Sequence, residues 1–346
     1  MKLFSKEMKR FLVLLLMSLL AGSTVISQTS PETPELAEAT ELTKSVTKLF
    51  NEKKFDEALA LAKRALEIRE RLLPHNDPRV ANSLSYLGDV YMAKREYDNA
   101  RKTFERLLQV QEELVGPTDV RLANTFDRLA LLYYEDSKPA KAEEFYQRAL
   151  AVREKGLGPE NVQVADTLYA LGQFYRVRRE YDRALLNYKR SLQIYGRAKG
   201  ATTTEFQRAV TALSCLAYES QNNTIFKEIE EIQQQFAPGQ PPMPFAKMLN
   251  GYAVHIAKPA YPQAARERKL SGTVVVLVEI DENGKVISAK DMCQGPPYLS
   301  ESSVKAALQS TFAPTQISGV PVKTKGVLRF NFVYNSTIWR MNPTLP

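Results

Sequence analysis

The sequence predicts an all-α solenoid followed by a small α+β domain. Ala39, Ala81, Ala123 and Ala165 stand 42 residues apart, and the same interval links Leu66, Leu108, Leu150 and Leu192. It also links Ala58, Ala100, Ala142 and Ala184. Within each interval apolar residues fall twice at helical spacing, as in Leu87-x-x-x-Tyr91 and Ala100-x-x-x-Phe104-x-x-x-Leu108. A fixed period of that length built from two helical stretches marks a stacked helix-pair repeat. Near the C-terminus the pattern changes to strand-like runs, Thr273 to Ile280 and Lys285 to Lys290, separated by the turn Asp281 to Gly284.

The first element is a leader. Lys2, Lys6, Lys9 and Arg10 precede an apolar run from Phe11 to Leu20, and small residues follow at Ala21-Gly22-Ser23 and Ser27. This reads as a secretory signal peptide over 1–27, because the apolar run is about half the roughly 20 residues needed to span a bilayer. Leu19 to Ser23 is similar to a bacterial lipobox with Ser23 where a lipidated cysteine would stand, so no thioether can form there. A linker is expected over 28–38, the repeat array over 39–236, a proline-rich linker over 237–249, the second domain over 250–335 and a tail over 336–346.

In the array, the stretch Lys94 to Asp98 separates the two helices of one unit, and Gly116-Pro117 and Gly158-Pro159 end the longer second helices. Leu87-Gly88-x-x-Tyr91 with Ala100 and Phe104 resembles the tetratricopeptide repeat, and the 42-residue length with Asp119 to Asn124 resembles the kinesin-light-chain subclass. A last pair, Ala209 to Phe236, stands two residues out of frame and is expected to cap the array. The resemblance implies a concave groove lined by Asn82, Ser85, Tyr86, Asp89, Asn124, Asp127, Arg128, Leu131, Asp166, Tyr169, Gln173 and Arg176. Kinesin light chains place paired asparagines where this chain has Ser85-Tyr86, Asp127-Arg128 and Tyr169-Ala170, so their ligand preference does not carry over, and the groove is expected to bind a peptide or protein.

The second domain opens with Lys258-Pro-Ala-Tyr261-Pro262 and a short helical run, Gln263 to Leu270. After the two strands come a helix-like segment, Leu299 to Gln309, then Phe312-x-Pro314, then a last strand from Gly326 to Tyr334. Asn283-Gly284 suits a tight hairpin because both residues tolerate positive φ. Leu328, Phe330, Phe332 and Tyr334 should pack on the helix, while Val327, Arg329, Asn331 and Val333 form a more exposed face. The order of elements, with Tyr261-Pro262, Gly272, Asn283-Gly284 and Phe312-x-Pro314 as landmarks, resembles the C-terminal domain of the TonB family. That resemblance implies a periplasmic module whose final strand lies at a sheet edge and recruits an extended peptide of an outer-membrane transporter. Its edge here would be Val327, Arg329, Asn331 and Val333, with Tyr261 and Pro262 nearby. The chain departs from energy-transducing members: its apolar leader has no histidine, a helical array replaces the long Pro-Lys segment, and Ala260 replaces a glutamine.

Other chemistry is thinly represented. Between 250 and 346, 11 basic and 6 acidic residues give +5 of the formal +8, a scattered excess without the basic-aromatic stripe of a nucleic-acid binder. His75 and His255 have no partners at metal-ligand spacing, and no catalytic set or phosphate loop stands out, so no enzyme, metal or cofactor is expected. Cys215 and Cys293 fall in different modules; an oxidising compartment permits a disulfide, but two buried thiols are the expectation. The sequence therefore predicts a periplasmic, non-enzymatic scaffold, with two alternatives. One is an inner-membrane transducer, membrane-associated through a retained N-terminal segment; the other is a structural envelope spacer.

Overall fold

The computed structural model describes residues 33–238, 247–249, 253–293, 295 and 297–334. The expected leader (1–27), residues 239–246 of the proline-rich linker and the tail (336–346) lie outside the described residues. The described residues divide between two compact units, one up to Leu171 and one from Gly172 onward. The division falls inside the helical array and not in the 237–249 stretch.

The first unit holds α1 (Pro34–Asn51), α2 (Phe55–Leu72), α3 (Pro78–Lys94), α4 (Tyr97–Val115), α5 (Ala123–Glu135), α6 (Pro139–Leu157) and the start of α7 (Val162–Val177). Residues 34–38, expected in a linker, are helical because Thr33 caps α1 by accepting from the Leu36 N–H. Side-chain caps then recur at 42-residue intervals: Asp77 accepts from the N–H of Arg79, Asp119 from Arg121 in the 3-10 turn (Val120–Leu122) ahead of α5, and Asn161 from Gln163, at 2.8, 2.8 and 2.9 Å. First helices end alike too. Lys53, Arg95 and Ser137 take left-handed φ of 62, 63 and 57°, and the next N–H bonds back to Leu49, Tyr91 and Tyr133 at 2.9 Å.

Small residues set the pair spacing. A Cβ at Gly88 would stand 2.6 Å from the Phe104 ring, so the absent side chain is what lets α3 and α4 close on that buried ring. Polar bonds join successive pairs at the same repeat position: Arg69 to Ser83 at 2.6 Å, Thr125 to Gln111 at 2.7 Å and Arg153 to Thr167 at 2.5 Å.

The second unit continues α7 and adds α8 (Tyr181–Lys199), α9 (Thr204–Ser220) and α10 (Thr224–Phe236). Thr203 caps α9, and Gln221 ends it at φ 60°, positions that stand 42 residues after Asn161 and Arg179. The last pair thus keeps the 42-residue frame, contrary to the expected two-residue slip. Its backbone caps define the frame, whereas Ala209 occupies a different position of the unit.

The sheet module follows in the same unit. Its elements are β1 (Lys247–Met248), β2 (Ala253–His255), α11 (Gln263–Glu267), β3 (Gly272–Ile280), β4 (Val286–Asp291), α12 (Pro297–Leu308), β5 (Thr311–Phe312), β6 (Gln316–Ile317), β7 (Val320–Pro321) and β8 (Thr324–Phe332). The main sheet has the order β1-β8-β3-β4. β3 runs antiparallel to β8 from Gly272 opposite Phe332 to Ile280 opposite Thr324, and antiparallel to β4 on its other side. β2 pairs with β5, and β6 with β7, as separate ribbons. In the β3–β4 turn only Gly284 takes positive φ, 83°, and a Cβ there would collide with the Phe312 carbonyl. The expected hairpin is thus made with a single left-handed residue, as in a bulged hairpin loop.

Both faces of the sheet are covered. Val274, Val276, Val278, Leu328, Phe330 and Phe332 pack with Leu299, Ala306 and Ala307 of α12. On the opposite face Val275 and Val327 pack with Cys215 and Tyr218 of α9, with Phe226, Leu277 and Met292 alongside. Each fully buried valine contributes about 1.5–3 kcal/mol over an exposed one. Cys215 and Cys293 are joined in a disulfide, Cα atoms 5.4 Å apart across 78 residues of sequence. Two separate thiols were expected; the tertiary packing of α9 on the sheet brings them together.

Candidate functional site

The last strand carries the candidate edge. β1 pairs with β8 in parallel only at Gly326 and Val327, and the Leu249 N–H donates to the Val327 carbonyl at 2.8 Å. Strand alternation then directs the backbone polar groups of odd-numbered β8 residues toward the outer edge and those of even-numbered residues toward β3. Beyond Val327 no strand lies along that outer edge among the described residues.

The side chains of the predicted edge do other work. Val327 is fully buried and Arg329 is 9% exposed, so the face expected to be open is closed over its first half. Arg329 donates to the Tyr218 carbonyl at 3.3 Å, and burial depresses its guanidinium below the ordinary arginine range. Asn331 accepts from the Thr273 hydroxyl at 2.9 Å, tying β8 to β3. Val333 is exposed. The Tyr261 ring meets Phe332 edge-on at 5.7 Å and its hydroxyl donates to the Leu270 carbonyl. Pro262 precedes α11 and its carbonyl accepts from Ala265 and Arg266.

In the first unit, several predicted groove residues bind one another. Arg128 grips both carboxylate oxygens of Asp89, at 2.7 and 3.1 Å. Arg153 pairs with Asp127 at 2.5 Å and with Asn124 at 2.7 Å. Burial pushes the Asp89 and Asp127 carboxyls above their ordinary range, while the facing guanidinium pulls each the other way. Asn82 is exposed, Tyr86 and Asp166 are half-buried, and Tyr169 is buried. In the second unit Gln173 is half-buried, and Arg176 pairs with Glu219 at 2.8 Å and donates to the Cys293 carbonyl at 3.3 Å. Burial raises the Glu219 carboxyl, again against the pull of Arg176.

No group of three or more metal-ligating side chains occurs among the described residues. Among them, no helix is long and apolar enough to cross a membrane.

Comparison with known proteins matches this geometry to two families. Residues 49–79, 79–155 and 140–197 match models of the tetratricopeptide repeat, and residues 257–334 match the Gram-negative bacterial TonB protein C-terminal model. The chain joins tetratricopeptide repeats to a TonB C-terminal domain. The repeats resemble those of a Podosopora anserina protein described as a kinesin light chain with nearly identical TPR-like repeats. One such structure, a Q17M form, is 15% identical with a TM-score of 0.51, covering 59% of this chain and 98% of that one. A second is 14% identical with a TM-score of 0.50, covering 60% and 100%. Among curated proteins none matches the chain.

The TonB C-terminal match begins after β2 and ends at Tyr334, so it includes Cys293 and excludes Cys215. The disulfide therefore ties that domain to a helix outside its own family boundary. Sequence reasoning missed this link, and it missed the inward use of Arg329 and Arg176. The one available signal was the cysteine pair itself. Tetratricopeptide repeats and TonB C-terminal domains are protein-interaction modules, so protein partners are implied for both parts of the chain.

Proposed function

We propose that this protein is a non-enzymatic scaffold of the bacterial periplasm that holds two protein partners. The repeats dock one of them. The TonB C-terminal domain takes an extended peptide of the other, an outer-membrane transporter segment, as an added strand along β8. The observation that supports this most is the sheet order β1-β8-β3-β4, in which β1 accompanies β8 only as far as Val327. Backbone groups along a strand edge supply affinity in such pairing, and alternate side chains of the guest supply specificity. Delivery to the periplasm would rest on the basic-then-apolar leader at 1–27.

A photocrosslinking amino acid placed at exposed Val333 of the full chain, in cells, tests the reading. The expected adduct is to an extended segment of an outer-membrane protein. Adducts to a second copy of the chain alone would instead favour an envelope spacer, and no adduct at all would sink the peptide-edge reading. Sequencing the N-terminus of the mature protein separates the soluble scaffold, starting near Thr24 or Gln28, from a retained inner-membrane transducer starting at Met1.

A further inference from the structure

The back face of the TonB C-terminal sheet packs on α9. Val275 and Val327 lie against Tyr218, with Leu277, Met292 and Phe226 at the border. Arg329 reaches the Tyr218 carbonyl, and Arg176 reaches the Cys293 carbonyl, each at 3.3 Å. The Cys215–Cys293 bond stands within the same cluster and is the one covalent member of it. Interfaces between modules of one chain open and close by default unless they are large and apolar, and this one includes two guanidinium groups bonded to backbone carbonyls. A crosslink between the two sides keeps them together whatever the noncovalent contacts are worth.

We infer that the Cys215–Cys293 disulfide is a redox-operated latch that holds the sheet against α9 and releases it on reduction. The reductant is a dithiol. One of its thiolates attacks one protein sulfur, and the other protein sulfur leaves as a thiolate and takes a proton. The second thiol of the reductant then displaces the mixed disulfide. Two electrons pass, and the products are two protein thiols and the oxidised, cyclised reductant. Both cysteines are buried, 3% and 4% exposed, so the exchange proceeds through transient opening of the cluster. Release uncovers Val275, Leu277, Met292 and Val327 as one apolar surface beside the freed guanidinium of Arg329. This goes beyond the pairing of a peptide along the outer edge of β8, since it concerns the face of the strand and stands whether or not that edge binds.

The test uses the full chain, oxidised, treated with dithiothreitol, and as the Cys215→Ser/Cys293→Ser variant. Hydroxyl-radical footprinting reads the exposure of Tyr218 and Met292, and far-UV circular dichroism reads folding. The expected result is a footprinting rate about tenfold higher in both uncrosslinked forms with the dichroism unchanged. Rates within about twofold of the oxidised chain would overturn the latch, because the noncovalent contacts would then suffice. Loss of dichroism on reduction would overturn it as well, because the bond would be a requirement of the fold. An Arg329→Ala variant with the crosslink intact should stay closed while oxidised and open on reduction. If it opens while oxidised, Arg329 and not the disulfide is the latch.

Discussion

Arg329, on the strand expected to meet an outside partner, donates instead to the carbonyl of Tyr218, 111 residues earlier in the chain. The contact places a cation of the TonB C-terminal domain on the last repeat pair. Arg329→Ala should cost about 1–3 kcal/mol, since it removes a charged donor from a buried hydrogen bond to the Tyr218 carbonyl. Chemical denaturation of the full chain, followed by near-UV dichroism, measures it; a loss below about 0.5 kcal/mol would mean that water replaces the guanidinium without cost.

The buried pair of Arg153 and Asp127 makes a sharper case. Arg153→Met leaves the Asp127 carboxyl buried without its guanidinium and should destabilise by about 3–5 kcal/mol, while Arg153→Met/Asp127→Asn should recover most of that. A double-mutant cycle reads the coupling. Burial raises the Asp127 carboxyl in the folded state, so the folded chain holds its proton more tightly than the unfolded one. That contribution is present in full below the unfolded value of about 4 and is lost as pH rises through the folded value. The difference in stability between Arg153→Met and the double variant should therefore widen as pH is raised from about 4 toward neutrality.

Asp77 has the opposite sign. Its hydrogen bonds to the Arg79 side chain and backbone hold its carboxyl below the usual range. The stabilisation is present above the unfolded value of about 4 and is lost as pH falls through the folded value. Asp77→Ala should cost about 1 kcal/mol at neutral pH, and the deficit should shrink in acid as the carboxylate is protonated. Thermal melts across pH check both halves, and a deficit constant in pH would refute the charged-cap account.

Gly284 bends the chain between β3 and β4 at φ 83°, with the Phe312 carbonyl packed where a side chain would begin. Gly284→Ala should destabilise by about 1–3 kcal/mol, from left-handed strain together with displacement of Phe312. Gly116→Ala is the control. It has φ 82° and ψ 161°, a region essentially reserved for glycine, with nothing within 4 Å of the added Cβ, so backbone strain alone should cost about 1–3 kcal/mol there. Equal losses at the two sites would show that the carbonyl contact adds nothing.

The sequence by itself determined the local order of this protein. The 42-residue interval foretold helix pairs because each unit repeats one packing problem, and the caps at Asp77, Asp119 and Asn161 repeat with it. The front of the sheet was legible for a similar reason: Leu328, Phe330 and Phe332 alternate with period two, and a strand must bury such a stripe. The back face was legible only in β3, where Val275 and Leu277 are apolar as well and call for cover on both sides of at least one end. In β8 that face carries Arg329 and Asn331 beside Val327, residues of ordinary surface type, and nothing local says that Tyr218 will cover them. Nor did spacing show that Asp127 would turn to Arg153 rather than face the groove, since that depends on how close successive repeats stack. The cysteines show the division most plainly. Either thiol alone reads as a small buried side chain, and only the packing of α9 on the sheet brings their Cα atoms within 5.4 Å. Periodicity reports which side of an element is apolar; which surface meets it across 78 residues of chain is decided by tertiary packing.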